Sequence, residues 1–256
     1  MKAEDYAALY ALEEDFWWFA GMRDITAALL DPFCASARDG LILDAGCGTG
    51  GNLSWLERYA GNGKVIGIDL VADALRFCAA GRHESLVRAS ATHLPFADST
   101  FDLVTSFDVL VQLAGETAEQ RAISEMFRVL RPGGIAFVRV AAYRWMLSDH
   151  DRALGTQRRY TLDEIAEKLA GAGFAIVRRT YANSLVFPVV AVRRLLLKRI
   201  GLASKGSDVK PLTPALSWLN RAMMNALRTE ASFLQAPKRQ LPFGLSAVCI
   251  AKKAEH

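Results

Sequence analysis

The sequence predicts a doubly wound α/β fold, in which helices cover both faces of a mostly parallel sheet. The first observation is the segment 41–50, LILDAGCGTG, where a short apolar run precedes glycines at alternate positions. Such a run is typical of a strand buried on both faces of a parallel sheet. The second observation is the segment 64–70, KVIGIDL, a further apolar run with an acid near its end. Predicted strands then alternate with helical segments, which indicates βαβ units.

The loop after the first predicted strand is a candidate ligand-binding site. Asp44 lies at the carboxyl end of the strand, and three glycines follow it: Gly46, Gly48 and Gly50. Glycine lets the backbone turn tightly and approach a ligand, because it has no Cβ. The next segment, NLSWLERYAG, is predicted to be helical, so the loop would bring a ligand to a helix N-terminus.

Asp69 ends the second predicted strand, 23 residues after Gly46. An acid at this point can accept hydrogen bonds from both ribose hydroxyls of a bound nucleoside. A second acid before the glycines, Asp44, favours S-adenosylmethionine over a nicotinamide dinucleotide. S-adenosylmethionine has no pyrophosphate, and its ammonium group is stabilised by a nearby carboxylate.

Composition narrows the functional classes. The chain has 256 residues, of which 52% are hydrophobic, so it can bury a large core. Its formal net charge of +4 is too small to indicate nucleic-acid binding, and we expect no nucleic-acid partner. The four cysteines are scattered, which predicts neither a disulfide framework nor a zinc site, and we expect no metal. The acidic N-terminus does not resemble a signal peptide, so we expect a cytoplasmic protein.

Four blocks, in order LDAGCGTG, VIGIDL, LPFADSTFDLV and RVLRPGG, resemble the class I S-adenosylmethionine-dependent methyltransferase family (methyltransferase type 11-like). The resemblance implies a Rossmann-like sheet of seven strands with the last one antiparallel, S-adenosyl-L-methionine as cofactor, and methyl transfer by in-line displacement. Two alternatives stay open at this point. One is a non-catalytic relative that binds the cofactor and acts as a membrane-surface scaffold or regulator, and the other is a nicotinamide oxidoreductase.

The resemblance also implies a set of cofactor-binding residues around the loop. The family places a polar residue after the third strand to hold the adenine, and the end of the fourth strand beside the sulfonium. The residues implied in this way are Asp44, Gly46, Gly48, Gly50, Asp69, Leu70, Ser90, Ala91, Thr92 and Phe107.

Two predicted helices at the N-terminus form a lid over the cofactor in this family. One branch of the family has a Trp-Trp-Phe-x-Gly-x-Arg signature, which matches residues 17–23 here. It implies that Trp18 walls the methionine end of the cofactor and that Arg23 meets its carboxylate. The alternative is that the aromatic rings only pack in the core. Asp31-Pro32 should end the second helix, because the residue before proline disfavours helix.

The loop after the fifth predicted strand carries the catalytic candidates, His150 and Tyr160. In the family branch this loop holds a glycine-histidine and Arg-Arg-Tyr, and Tyr160 matches the tyrosine, whereas Thr156 replaces the histidine. His150 lies between two aspartates and could substitute, although DHD is equally typical of a solvated loop. Val111-Gln112 stands where many relatives have Glu-His, so any base must come from elsewhere.

A long segment separates the sixth predicted strand from the last one, at 245–253. We expect one domain, 1–256, made of the lid (1–32), the cofactor-binding core (33–180), a helical insertion (181–244) and the last strand with its tail (245–256). The basic and apolar stretch 185–205 is typical of a helix on an anionic membrane surface. It predicts peripheral contact at the inner membrane face and a small-molecule or lipid-like, anionic acceptor. The alternative is that the insertion merely roofs the acceptor pocket.

Overall fold

The structure, a computed structural model, describes residues 3–13, 16–34, 39–148, 151–152, 154–199 and 217–255. Seven strands form one sheet: β1 (Leu41–Ala45), β2 (Lys64–Asp69), β3 (Leu86–Arg88), β4 (Phe101–Phe107), β5 (Leu130–Ala141), β6 (Phe174–Ala182) and β7 (Ser246–Lys253). The strand order is β3-β2-β1-β4-β5-β7-β6. The first five strands run parallel, and β7 is antiparallel to both of its neighbours. The predicted fold class is confirmed.

Helices flank the sheet: α1 (Ala3–Leu12), α2 (Trp17–Cys34), α3 (Leu53–Leu56), α4 (Ala72–Ala80), α5 (Glu116–Val129), α6 (Leu162–Gly171), α7 (Phe187–Arg199) and α8 (Ser217–Leu234). The amphipathic pattern of α5 buries Ala122, Ile123, Met126 and Val129 against one face of the sheet. Helix α6 begins with a capping box between Thr161 and Glu164.

The other face of the sheet is covered by α2 and α8 together. Leu227 and Leu234 of α8 are fully buried in the same cluster as Ile25 and Leu29 of α2. Gly21 lies directly under Leu227, where a Cβ would overlap the leucine side chain. Helix α8, which belongs to the predicted insertion, is therefore part of the core and holds the N-terminal helices on the sheet.

Glu230 of α8 fixes the chain where β6 ends. Its carboxylate accepts hydrogen bonds from the backbone N–H groups of Asn183, Ser184 and Leu185, at 2.6, 2.8 and 3.3 Å. Asn183 has a φ of 62°, which turns the chain from β6 towards α7. This one carboxylate thus accepts hydrogen bonds from three backbone N–H groups that are not paired within a strand or a helix.

Several predicted boundaries were wrong. Helix α2 continues through Pro32 to Cys34, because a proline in the last turn removes only one backbone hydrogen bond. Trp17 begins α2, so the aromatic residues 17–19 lie in its first turn. Strand β5 begins at Leu130, before the glycines at 133 and 134, with an irregular register opposite Phe101. Helix α3 has only four residues, so the loop does not lead to a full helix N-terminus.

Candidate active site

The glycine loop and the end of β2 are joined by hydrogen bonds. The backbone N–H of Gly48 donates to Asp69 Oδ2 at 2.9 Å, and the N–H of Val71 donates to Asp69 Oδ1 at 2.8 Å. Burial raises the pKa of Asp69, and these backbone donors act against that rise. The carboxylate that is predicted to meet the ribose is therefore already oriented by the loop.

The three predicted glycines all have positive φ values, 95° at Gly46, 57° at Gly48 and 95° at Gly50. A Cβ at Gly46 would overlap the side chain of Val109, so this position needs glycine for packing as well. A Cβ at Gly48 would meet nothing within 4 Å. The backbone at Gly48 therefore borders open space, as a loop that a ligand approaches must do.

Asp44 is buried at the carboxyl end of β1 and is 1% exposed. The Thr105 hydroxyl on β4 donates to Asp44 Oδ1 at 2.7 Å. Burial raises the pKa of Asp44 to about 7, and the charge of Arg139 opposes this rise. A cation that binds beside Asp44 would hold it ionised.

The N-terminal helices meet the glycine loop at Glu13, which follows α1. The Thr49 hydroxyl donates to Glu13 Oε1, and a Cβ at Gly51 would lie 2.6 Å from Glu13 Cδ. Burial raises the pKa of Glu13 above its usual value, and the hydrogen bond from Thr49 opposes this rise. Arg23 Nη1 donates to the carbonyl oxygens of Glu13 and Gly51, at 2.9 and 3.3 Å. Arg23 thus binds the backbone of the loop, and its predicted contact with a cofactor carboxylate stays a prediction.

Arg139 lies on β5 at the same edge of the sheet. Its Nε donates to Asp108 Oδ2 at 2.8 Å, and its Nη2 lies 2.8 Å from the same oxygen. The guanidinium carbon is 5.0 Å from the ring centre of Trp18 and 5.1 Å from that of Phe107. Trp18 and Phe107, both predicted cofactor residues, therefore enclose a buried cation.

Past β3, the predicted adenine-binding residues form a polar turn. The hydroxyl oxygens of Ser90 and Thr92 lie 2.8 Å apart, and Thr92 Oγ1 is 2.9 Å from His93 Nδ1. Ala91 lies between them, and Leu70, at the end of β2, is 61% exposed. This turn offers hydroxyl groups where many family members would present an acid.

The two catalytic candidates have different outcomes. His150 lies outside the described residues. Tyr160 is buried in the core, and its hydroxyl donates to the Leu110 carbonyl oxygen at 3.3 Å. Burial raises the pKa of the Tyr160 hydroxyl above its usual value, so this group stays protonated at neutral pH. Its predicted catalytic role stays a prediction.

Comparison with known proteins shows which family a segment of the chain resembles. The model of a methyltransferase domain matches residues 43–138, which run from β1 to β5 and include the loop, Asp69, Asp108 and most of the edge described above. The segment 43–138 is thus similar to the methyltransferase family. S-adenosylmethionine is the cofactor of this family.

Two curated relatives and one solved structure illustrate the range of the methyltransferase domain. The chain is 32% identical over 155 residues to the tRNA (carboxymethyluridine(34)-5-O)-methyltransferase of Arabidopsis thaliana, covering 59% of this chain and 35% of the relative. It is 33% identical over 126 residues to the fatty-acid O-methyltransferase of Mycolicibacterium smegmatis, covering 44% and 41%. The chain thus spans less than half the length of these two curated relatives. A SAM-dependent methyltransferase from Archaeoglobus fulgidus has the same fold, with a TM-score of 0.55, 17% identity, and 90% and 94% of the two chains covered.

The residues of the methyltransferase domain fit the cofactor. Open space at Gly48, an oriented carboxylate at Asp69 and a buried one at Asp44 are what a ribose and an ammonium group require. The sequence did not single out Glu13 or Arg139. An arginine inside the apolar strand IAFVRVAAY was the available signal for Arg139, because a charge is rarely buried without a partner. Glu13 had no comparable signal in an acidic N-terminal segment.

Proposed function

We propose that the chain is an S-adenosylmethionine-dependent methyltransferase that acts on a small-molecule or lipid-like acceptor. The observation that carries this proposal is the arrangement at Gly48, whose N–H is held by Asp69 while its Cα faces open space. A nucleoside lying there would place its ribose against a carboxylate that the loop has already oriented. Preorganised contacts of this kind lower the cost of binding.

The residues of the chain bind and position rather than react with the cofactor. Asp69 would accept hydrogen bonds from the ribose hydroxyls, and Asp44 would stabilise the ammonium group. The helices α1 and α2, held on the loop by Glu13 and Arg23, would keep water out. The bound cofactor supplies a methyl group on a positively charged sulfur, so much of the catalysis comes from holding the acceptor in line in a dry pocket.

Calorimetric titration with S-adenosylmethionine and, separately, with NADH tests the proposal. We expect micromolar binding of S-adenosylmethionine alone. Asp69→Ala should weaken it by about 100-fold or more, since two charge-assisted hydrogen bonds are lost. Asp73→Ala is the matched control, because Asp73 lies nearby in α4 and, among the residues that the structure describes, pairs with the exposed Arg76 alone. Binding of NADH instead, or equal effects of the two variants, would contradict the proposal.

The lipid-like acceptor is supported by the surface around α7. Three apolar side chains, Leu185, Val189 and Val192, are 54%, 70% and 55% exposed. The stretch 185–205 contains five Lys or Arg residues and no acid, so it is complementary to an anionic membrane. Within the described part of the chain, no helix is long and apolar enough to cross a membrane. The similarity to a fatty-acid O-methyltransferase also supports a lipid-like acceptor.

Sedimentation with vesicles tests the contact with a membrane. We expect the protein to bind vesicles of phosphatidylcholine with phosphatidylglycerol, and not vesicles of phosphatidylcholine alone. The double variant Val189→Asn, Val192→Asn should lose this binding by about tenfold or more, since buried apolar area drives it. Val177→Asn is the control, because Val177 is 40% exposed on β6. Equal binding to both kinds of vesicle, or by all variants, would refute the contact.

A further inference from the structure

Only one carboxylate oxygen of Asp108 takes part in its ion pair with Arg139. Nε of Arg139 donates a hydrogen bond to Asp108 Oδ2, and Nη2 of Arg139 lies 2.8 Å from the same oxygen. Asp108 Oδ1 and Arg139 Nη1 make no hydrogen bond with any residue that the structure describes. The side chain of Asp108 is 26% exposed, whereas that of Arg139 is 7% exposed. The pair therefore presents one free acceptor oxygen, Asp108 Oδ1, on its more exposed member.

The backbone directs this pair towards the cofactor loop. Asp108 has a φ of 58°, in the left-handed region that few residues except glycine, asparagine and aspartate adopt. Its N–H still donates to the Arg139 carbonyl oxygen at 2.9 Å, so the turn begins directly at the end of β4. The next residue, Val109, packs against Gly46 of the loop. Unusual backbone conformations of this kind concentrate at functional sites.

The chemistry of the pair selects the group that can bind there. A hydroxyl can donate a hydrogen bond to the free Oδ1 of Asp108. An anionic carboxylate would be repelled by Asp108. A cationic ammonium would be repelled by Arg139, which already covers the face of Trp18. A neutral hydroxyl is thus the group that the free oxygen and the charges of the pair favour.

From this geometry we propose that Asp108 binds the hydroxyl of the acceptor and takes its proton, so that the chain methylates oxygen. This inference rests on the proposed methyltransferase function. As the acceptor oxygen forms its bond to the methyl carbon, the sulfur–carbon bond breaks and its electron pair stays on sulfur. The proton passes from the acceptor oxygen to Asp108 Oδ1 and then to solvent. Arg139 is a positioning residue that fixes the carboxylate through its hydrogen bond to Oδ2.

Three probes with the same ring separate the possible acceptor groups: 2-naphthol, 2-naphthoate and 2-naphthylmethylamine. Each is titrated by calorimetry at pH 7.5 into protein saturated with S-adenosylhomocysteine. We expect the wild type to bind 2-naphthol at least tenfold more tightly than the other two. Asp108→Asn should reverse this order, with at least tenfold tighter binding of 2-naphthoate, because Arg139 loses its counter-charge. Asparagine also tolerates the left-handed backbone, so the variant should fold.

Transfer of a tritiated methyl group to 2-naphthol provides the second measurement. Asp108→Asn should lower it by about 100-fold or more, as expected for loss of a general base, while its affinity for S-adenosylhomocysteine changes less than threefold. Asp163→Asn, which breaks the exposed pair with Arg179, should change nothing. Preference of the wild type for 2-naphthoate or the amine, binding of none of the probes, or an unchanged pattern in Asp108→Asn would overturn the inference. Failure to bind S-adenosylhomocysteine at all would instead refute the proposed function.

Discussion

The Glu13 carboxylate accepts a hydrogen bond of 2.5 Å from the Thr49 hydroxyl, and both residues are buried. Arg23 donates to the backbone on either side of this contact, at Glu13 and at Gly51. The N-terminal helices are thereby fastened to the loop that binds the cofactor. The site consequently depends on residues that lie well outside the part of the chain matched by the family model.

Replacement of Glu13 tests this connection. Glu13→Ala leaves the buried Thr49 hydroxyl without its acceptor, which should cost about 1–3 kcal/mol of unfolding free energy. It should also weaken binding of S-adenosylhomocysteine, since the loop loses its support. Glu13→Gln keeps an oxygen acceptor and should restore most of both quantities. Denaturant unfolding and calorimetry measure them, and an alanine variant that behaves like the wild type would show that the contact is dispensable.

Asp44 should make stability depend on pH. Its pKa rises from 3.8 in the unfolded chain to about 7 in the folded protein, so folding favours the protonated form. The stabilising contribution of Asp44 to the free energy of unfolding is therefore complete below pH 3.8 and is lost as the pH rises through about 7. Asp44→Asn should be more stable than the wild type at pH 8 by at least about 1 kcal/mol, with a smaller difference at pH 5.

The same variant separates stability from function. Asparagine still accepts the hydrogen bond from Thr105, so the fold is preserved. It lacks the charge that stabilises an ammonium group, so the affinity for S-adenosylhomocysteine at pH 7.5 should fall by about tenfold or more. Unfolding curves at several pH values and a titration measure the two effects. A stability difference that does not change with pH would show that Asp44 is not protonated in the free protein.

Gly48 and Gly115 provide a matched pair of alanine substitutions. Both have positive φ values, 57° and 82°, and a Cβ at either would meet nothing within 4 Å. Each alanine variant should lose about 1 kcal/mol or more of stability through backbone strain alone. Only Gly48→Ala should also lose affinity for S-adenosylhomocysteine, because its methyl group would occupy the space of the ligand. Equal affinities in calorimetry would place the ligand elsewhere.

Glu230 should be among the most sensitive positions of the inserted helix α8. Glu230→Ala leaves three N–H groups at 183–185 without an acceptor, two of them buried, which should cost about 3 kcal/mol or more. Glu167→Ala, at an exposed position of α6, is the control and should change stability little. Thermal unfolding measures both variants. A small effect of Glu230→Ala would mean that water replaces the carboxylate.

Local patterns predicted the strands and the glycine loop, because each is encoded within a few neighbouring residues. The end of helix α2 was one exception, since burial against α8 outweighs the preference of Pro32. The pair of Asp108 and Arg139 could not be predicted in the same way. These residues are 31 positions apart and meet only because β4 and β5 are neighbours in the sheet. Glu13 and Thr49 likewise meet only after α1 has packed on the loop.

The position of β7 between β5 and β6 has a consequence for synthesis of the protein. The ribosome makes β7 after the six other strands, so β6 emerges before the strand that joins it to the sheet exists. The half of the sheet that carries the cofactor loop can form during translation, while the edge of β5 stays open. Open edges of this kind pair readily with other chains. The nascent protein is therefore most exposed to misassembly along β5, the strand that carries Arg139.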